Sequence, residues 1–307
     1  MKTKSEFVDR LNHGVWPMEP GALRSLASQH LGDGTVCVAV EEHWNPLAPV
    51  LADPSLSVDS AKLALPRSDG AVAVLSLRGV VEQHRSWWAG LSTDEISEVL
   101  ARLMTDPSIG AVVLDWDSPG GVVYGVPELA DQIRGYRGVK PVYSIANAEM
   151  YSAAYWIGSA ASKTFVSPSG GVGSVGVWTA HVNATEAFKQ IGWEVTVISS
   201  TPEKVEAGSF APLSDEALAA MQAKVDTYYQ QFLEAVGANR GKRTTAVAAN
   251  FGKGRTVMPD DALAAGMVDG IATLGELLGA LVPRKKGSAR ATAEAKVALA
   301  GEGVYQE

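Results

Sequence analysis

The stretch NAEMYSAAYWIG, Asn147 to Gly158, follows a β-branched run from Pro141 to Ile145 and leads into an apolar helical pattern. It reads as a strand running into a helix, with Ser152 at the turn between them. Free backbone N–H groups and the positive dipole end at a helix start favour negative charge, which suits an alkoxide or the oxyanion of an attacked carbonyl. Taken alone, a Ser-Ala-Ala run is also what close helix packing uses, so Ser152 becomes a nucleophile only if partners stand elsewhere in the chain.

Outward from this turn the same alternation repeats. Upstream, AVAVLSLRGVV (71–81) reads as a buried strand with a Gly step. STDEISEVLARLMTD reads as an amphipathic helix with Ile96, Val99, Leu100 and Leu103 on one face, capped by Ser92 or Thr93. Strand GAVVLDWD (110–117), turn SPGG, helix VPELADQIRGY and strand PVYSIAN follow. Downstream come strand SKTFVSPS, the Gly-rich turn GGVGSVGV, a helix around Thr185 to Gln190, and strand WEVTVISS (193–200). Strands alternating with helices predict an α/β fold with a largely parallel sheet, and ligands in such folds gather at the C-terminal strand ends. A long helix begins at the cap Ser214, and FGKGRTVMPDDALAAGMVDGI (251–271) closes the globular part with a short helix and a turn.

Residues 1–66 read as an N-terminal lead-in or arm: a helix from Glu19, the short strand TVCVAV and a Pro- and Asp-rich connector. Residues 67–282 are the expected catalytic domain. Residues 283–307, rich in Ala, Gly and Lys, are an expected flexible tail.

Composition narrows the function classes. With 307 residues, 46% hydrophobic and 20% charged, the chain is long and apolar enough to bury a core. Its 26 basic and 34 acidic residues give a net charge of −8, which argues against bulk-charge nucleic-acid binding. The one cysteine, Cys37, excludes an internal disulfide and a multi-cysteine zinc site. No metal-ligand cluster is evident, no cofactor is expected, and GGVGSVGV lacks the lysine and hydroxyl of a P-loop. No run reaches the roughly 18 apolar residues that span a bilayer, so the expectation is a soluble cytoplasmic protein without a membrane partner.

A serine nucleophile needs a base and an oxyanion site. The turn Asp117 to Gly121 follows a strand, and consecutive glycines let backbone N–H groups turn toward a bound carbonyl. Gly120 is one candidate donor and Ala153 the second. Two bases are available. Lys204 leaves the end of the expected strand WEVTVISS, which would carry it to the sheet edge that holds Ser152; Glu203 and Glu206 flank it and would oppose the loss of its proton. His181, in VGVWTAHV, is the rival base. His13, His30, His43 and His84 lie in the lead-in or in a surface-like turn.

The ordered set DSPGG, SAAYWI, GGVGSVGV, EKVEAGSFAPLS and GRTVMPDDALAAGMVDGI resembles the S49 family of serine peptidases, related to signal peptide peptidase A, and within it the phage capsid-assembly or prohead protease branch; WPMEP in the lead-in is also similar to that branch. The resemblance covers about Ala71 to Leu281 and implies a ClpP/crotonase-like fold of repeated β-β-α units. It implies Ser152 as nucleophile, Lys204 rather than His181 as base, and Gly120 with Ala153 as the oxyanion hole. Gly121 and Tyr151 would touch substrate, Tyr151 narrowing the pocket where relatives often carry a small residue. Asp117 stands where Asn is common in the family. The resemblance further implies a homo-oligomeric ring whose neighbouring subunits shape each site. Its protein substrates would be scaffold, portal or capsid proteins and the chain itself, inside a host cell or procapsid. A crotonase-like acyl-CoA enzyme and a catalytically silent assembly factor are the competing classes.

Overall fold

The computed structural model describes residues 50–51, 63, 65–85 and 90–281. The expected lead-in helix, the Cys37 strand, His13, His30, His43 and the tail after Pro283 lie outside the described residues.

Ten strands are described, numbered here in chain order. The main sheet runs β1 (Val50–Leu51), β2 (Ala71–Arg78), β5 (Ile109–Ser118), β6 (Val142–Tyr151), β7 (Lys163–Val166) and β10 (Gly270–Ile271). All neighbours in this order pair in parallel except β1, which is antiparallel to β2. This is the α/β, largely parallel architecture that the alternating pattern predicts. β8 (Gly171–Gly173) pairs in parallel with the end of β6 and antiparallel with β9 (Thr256–Val257), so the Gly-rich segment contributes a strand as well as a turn. A second small parallel sheet joins β3 (Val81–Glu82) to β4 (Leu91–Ser92).

Crossover helices occupy one face. α1 (Thr93–Thr105) is capped by Ser92, whose side chain accepts from the Glu95 N–H, and buries Ile96, Leu100 and Leu103. α2 (Val126–Tyr136) and α3 (Ala153–Ser159) pack beside it over Leu75, Leu114 and Trp116. The long α5 (Asp215–Arg240) begins at Ser214 as expected and packs its C-terminal part on this core, where Phe232 stacks on Trp156 at 4.6 Å. A separate apolar cluster covers the opposite face, with Val113, Tyr143, Ile145 and Phe165 against the helix Leu274–Leu281.

Asp269 joins three elements of this scaffold. Its carboxylate accepts from Arg240 Nη1 at 2.7 Å, from the Thr164 N–H at 2.9 Å and from Lys163 Nζ at 3.1 Å. Burial by itself would raise its pKa, but these partners outweigh burial and hold it below the usual carboxylate range. A depressed value means stability that is present above the unfolded carboxylate pKa and lost as pH falls through the folded one. Asp269→Asn is expected to cost about 2 kcal/mol at neutral pH. In urea melts that deficit should shrink toward zero in strong acid.

One expected strand is absent. WEVTVISS forms no ladder: residues 193–200 have no regular structure, and Trp193, Val195, Val197 and Ile198 are 61%, 41%, 44% and 92% exposed. They belong to an arm from about 178 to 213 that carries the short α4 (Thr185–Gln190), a 3₁₀ turn at Pro202–Lys204 and an isolated bridge residue at Trp178. At its head Phe188 stacks with Phe210 at 5.6 Å and with Trp193 at 6.2 Å. The strand expected there does not form: the β-branched alternation favours extended backbone, but a strand needs a ladder partner, and among the described residues this segment has none.

Candidate active site

β6 runs further than its β-branched core suggests, through Asn147 to Tyr151, and its last three residues pair with Gly171, Val172 and Gly173. The chain then turns at Ser152 into α3. Ser152 adopts φ 51° and ψ −115°, a conformation that side-chain-bearing residues rarely occupy. Such strain costs about 1–3 kcal/mol and persists where surrounding structure holds it, commonly at functional turns. Here the hold is visible: the Ser152 N–H donates to Gly173 O at 2.7 Å, and its carbonyl accepts from Trp156 N at 2.9 Å. The side chain is fully buried, and its Oγ makes no hydrogen bond among the described residues. A buried hydroxyl without a partner is costly, so strain and desolvation fall together on one residue.

The SPGG turn comes to the same place through sheet register. Ser118, the last residue of β5, pairs with Met150, two positions before Ser152. Gly120 has φ 100°, available to glycine alone without penalty. Its N–H donates to Ser118 Oγ at 3.2 Å, so this expected oxyanion donor has an internal acceptor in the single chain. The buried Ser118 therefore belongs to the site although sequence reading passed over it. Gly121 lies against β3, where a Cβ would overlap the Val81 carbonyl oxygen. The Ala153 N–H occupies the first turn of α3, where no intrahelical acceptor exists. Tyr151 is half-buried, its ring lying over Gly171, where a Cβ would overlap the phenol. A second strained serine, Ser174 at φ 53°, follows the carbonyl that holds Ser152. Nothing in its sequence context signalled that geometry.

The two base candidates stand apart from this constellation. Lys204 is exposed in its 3₁₀ turn and forms no ion pair among the described residues. The strand expected to bring it to the Ser152 edge does not form. Glu203 is held below the usual carboxylate range by its own backbone N–H and the Thr201 side chain. His181 is half-buried within the arm, with Nε2 3.1 Å from Gly208 O. His84, which the sequence placed in a surface turn, is exposed and 2.7 Å from Asp94. Neither Lys204 nor His181 hydrogen-bonds Ser152. Among the described residues no group of three or more His, Cys, Asp or Glu is placed to hold a metal ion, and no helix is long and apolar enough to cross a membrane.

Residues 136–286, which contain Ser152, Ala153, His181 and Lys204, match Peptidase family S49. That segment is similar to the S49 peptidase family. Capsid assembly protease C of Escherichia phage lambda is 34% identical over 174 residues, covering 55% of this chain and 40% of that protein. Protease 4 of Haemophilus influenzae is 27% identical over 206 residues, covering 67% of this chain and 33% of the other. The chain thus spans less than half the length of these relatives. Among solved structures, a ClpP1 mutant from Listeria monocytogenes aligns with 67% of this chain and 94% of its own at 15% identity and a TM-score of 0.43.

Proposed function

We propose that this S49 chain is a serine endopeptidase working through a Ser152–Lys204 dyad. Neutral Lys204 takes the Ser152 hydroxyl proton, the alkoxide adds to a peptide carbonyl, and backbone N–H groups of Gly120 and Ala153 hold the oxyanion. Collapse of that adduct expels the amine, which takes up the proton, and water then releases the acyl-enzyme. Gly121 and Tyr151 flank the substrate. The observation that carries the reading is the Ser152 turn: a strained, buried, unpartnered hydroxyl in register with a Gly-Gly turn, inside a segment matching a peptidase family.

A lysine serves as base only where desolvation lowers its pKa by several units, and Lys204 is exposed in the single chain. The arm that bears it also exposes Trp193, Val195, Val197, Ile198 and Phe210. Packing of the arm against a neighbouring copy in a ring accounts for both facts, since it covers the apolar side chains and desolvates the lysine beside a Ser152. Gly120 exchanges its Ser118 acceptor for the oxyanion as substrate enters. The likeness to a phage capsid assembly protease supports proteins of a procapsid as substrates, with scaffold, portal or capsid proteins and the chain's own termini as the first to examine.

A fluorophosphonate probe tests the nucleophile. Incubation of the full chain at mildly alkaline pH, followed by peptide mass mapping, should place the adduct on Ser152. A crotonase-like acyl-CoA enzyme or a silent assembly factor leaves that peptide unmodified, and this result would overturn the proposal.

A further inference from the structure

Five polar side chains meet at the C-terminal ends of β2, β5 and β6, on the sheet face opposite α1, α2 and α3, and the chemistry above uses none of them. Arg78 ends β2 and is the register partner of Asp117 on β5. Its Nη1 lies 3.3 Å from Asp117 Oδ2 and its Nη2 3.3 Å from Asp115 Oδ2. Ser76 Oγ donates to the same Asp115 oxygen at 3.3 Å. Asn147 of β6 borders the Asp115 carboxyl.

Asp115 is the unusual member. Its side chain is 3% exposed and its Oδ1 has no hydrogen-bond partner among the described residues, so a carboxyl group sits buried in the central strand of the sheet. Burial pushes its pKa up, and the opposing pull comes first from Arg78. A buried carboxylate is retained only with a compensating charge. The two carboxylates stand two residues apart on one face of β5, and the guanidinium fork spans both.

The residues beyond the clamp lead directly to the Gly-Gly turn. Gly79 N donates to Asp117 O at 3.0 Å, Val81 N to Gly120 O at 2.9 Å, and Val122 N to Val81 O at 2.9 Å. An isolated bridge pairs Val81 with Gly121, against which no Cβ fits. The strap 79–81 is therefore anchored at one end by the Arg78 clamp and backs the turn at the other. Donors must hold their aim to within a few tenths of an ångström to serve an oxyanion.

We propose that Arg78 is a positioning residue for the oxyanion turn: by tying Asp115 and Asp117 to the end of β2 it fixes the strap at Val81 and, through it, the Gly120–Gly121 peptides. The inference rests on the assignment of that turn to the oxyanion.

Hydrogen exchange and steady-state kinetics on the full chain test it together, in Arg78→Met, Arg78→Lys and Asp117→Asn beside the wild type. Arg78→Met should speed exchange across residues 118–122 by about tenfold or more while β6 and β7 stay protected. It should lower kcat by about 10- to 100-fold with KM changed less than about threefold. Arg78→Lys keeps the charge but reaches one carboxylate, and should recover part of both losses. Asp117→Asn removes the half-exposed arm of the clamp, keeps the fold and should show an intermediate exchange rate. Unchanged exchange in the turn, or a loss spread evenly over the whole sheet with kcat unaltered in the folded fraction, overturns the clamp. Exchange reads the turn whether or not Ser152 turns over a peptide. Accelerated exchange in a chain that cleaves nothing thus counts against the peptidase reading alone, whereas intact exchange with Ser152-dependent cleavage counts against Arg78 alone.

Discussion

Ser152→Ala is expected to abolish cleavage, lowering turnover by about four orders of magnitude or more, because the acyl-enzyme route disappears with its nucleophile. The same variant should fold at least as stably as the wild type. The hydroxyl it removes is buried without a partner among the described residues, so its loss relieves about 1 kcal/mol of uncompensated desolvation. Ser152→Gly goes further: at φ 51° glycine also removes the backbone strain, adding about another 1 kcal/mol or more. The diagnostic result is the pairing of lost activity with gained stability, measured by self-processing on mass spectrometry and by urea midpoint. New chain termini present in the wild type and absent from both variants would give activity and cleavage specificity at once. A Ser152→Ala chain that still cleaves would remove Ser152 from the mechanism.

The second large effect is expected at Lys204. Lys204→Ala should be as inactive as Ser152→Ala, while His181→Ala stays active; the reverse result would transfer the base to His181. The position of Lys204 on an exposed arm makes a sharper test available. When Ser152→Ala and Lys204→Ala chains are mixed before assembly, a dyad shared between neighbouring copies recovers about one quarter of wild-type activity, since half the serines and half the lysines are intact. A dyad closed within each chain recovers none. Either variant alone stays silent. Asp or Ser substitution at Trp193 or Ile198, 61% and 92% exposed, should abolish assembly and cleavage together without unfolding the chain, which light scattering and circular dichroism separate.

Local pattern made much of this legible. The helices over Thr93–Thr105, Val126–Tyr136 and Asp215–Arg240 follow from a 3.6-residue apolar stripe, with Ser92 and Ser214 serving as the expected caps of the first and third. The strands over Ala71–Arg78 and Ile109–Ser118 follow from runs apolar on both faces, as a covered parallel sheet requires. Ser118, Ser174 and Arg78 carried no such signal. Each matters through a partner distant in sequence or through a backbone angle, and neither is encoded in a local period. WEVTVISS shows the limit from the other side, because its pattern states a preference for extended backbone but not whether a ladder partner exists in the same chain.

By itself the sequence determined an α/β chain of alternating strands and helices, a serine at a strand-to-helix turn, and a Gly-Gly turn after the preceding strand, since these depend on periodicity and on the conformational freedom of single residues. Only the tertiary structure decided that Ser118 pairs with Met150 and so sets that turn beside the serine, that Ser152 is strained and its hydroxyl unsatisfied, and that Lys204 rides on an exposed arm instead of a sheet edge. Those features arise from strand register and from what covers each surface, which are properties of chain segments meeting in space.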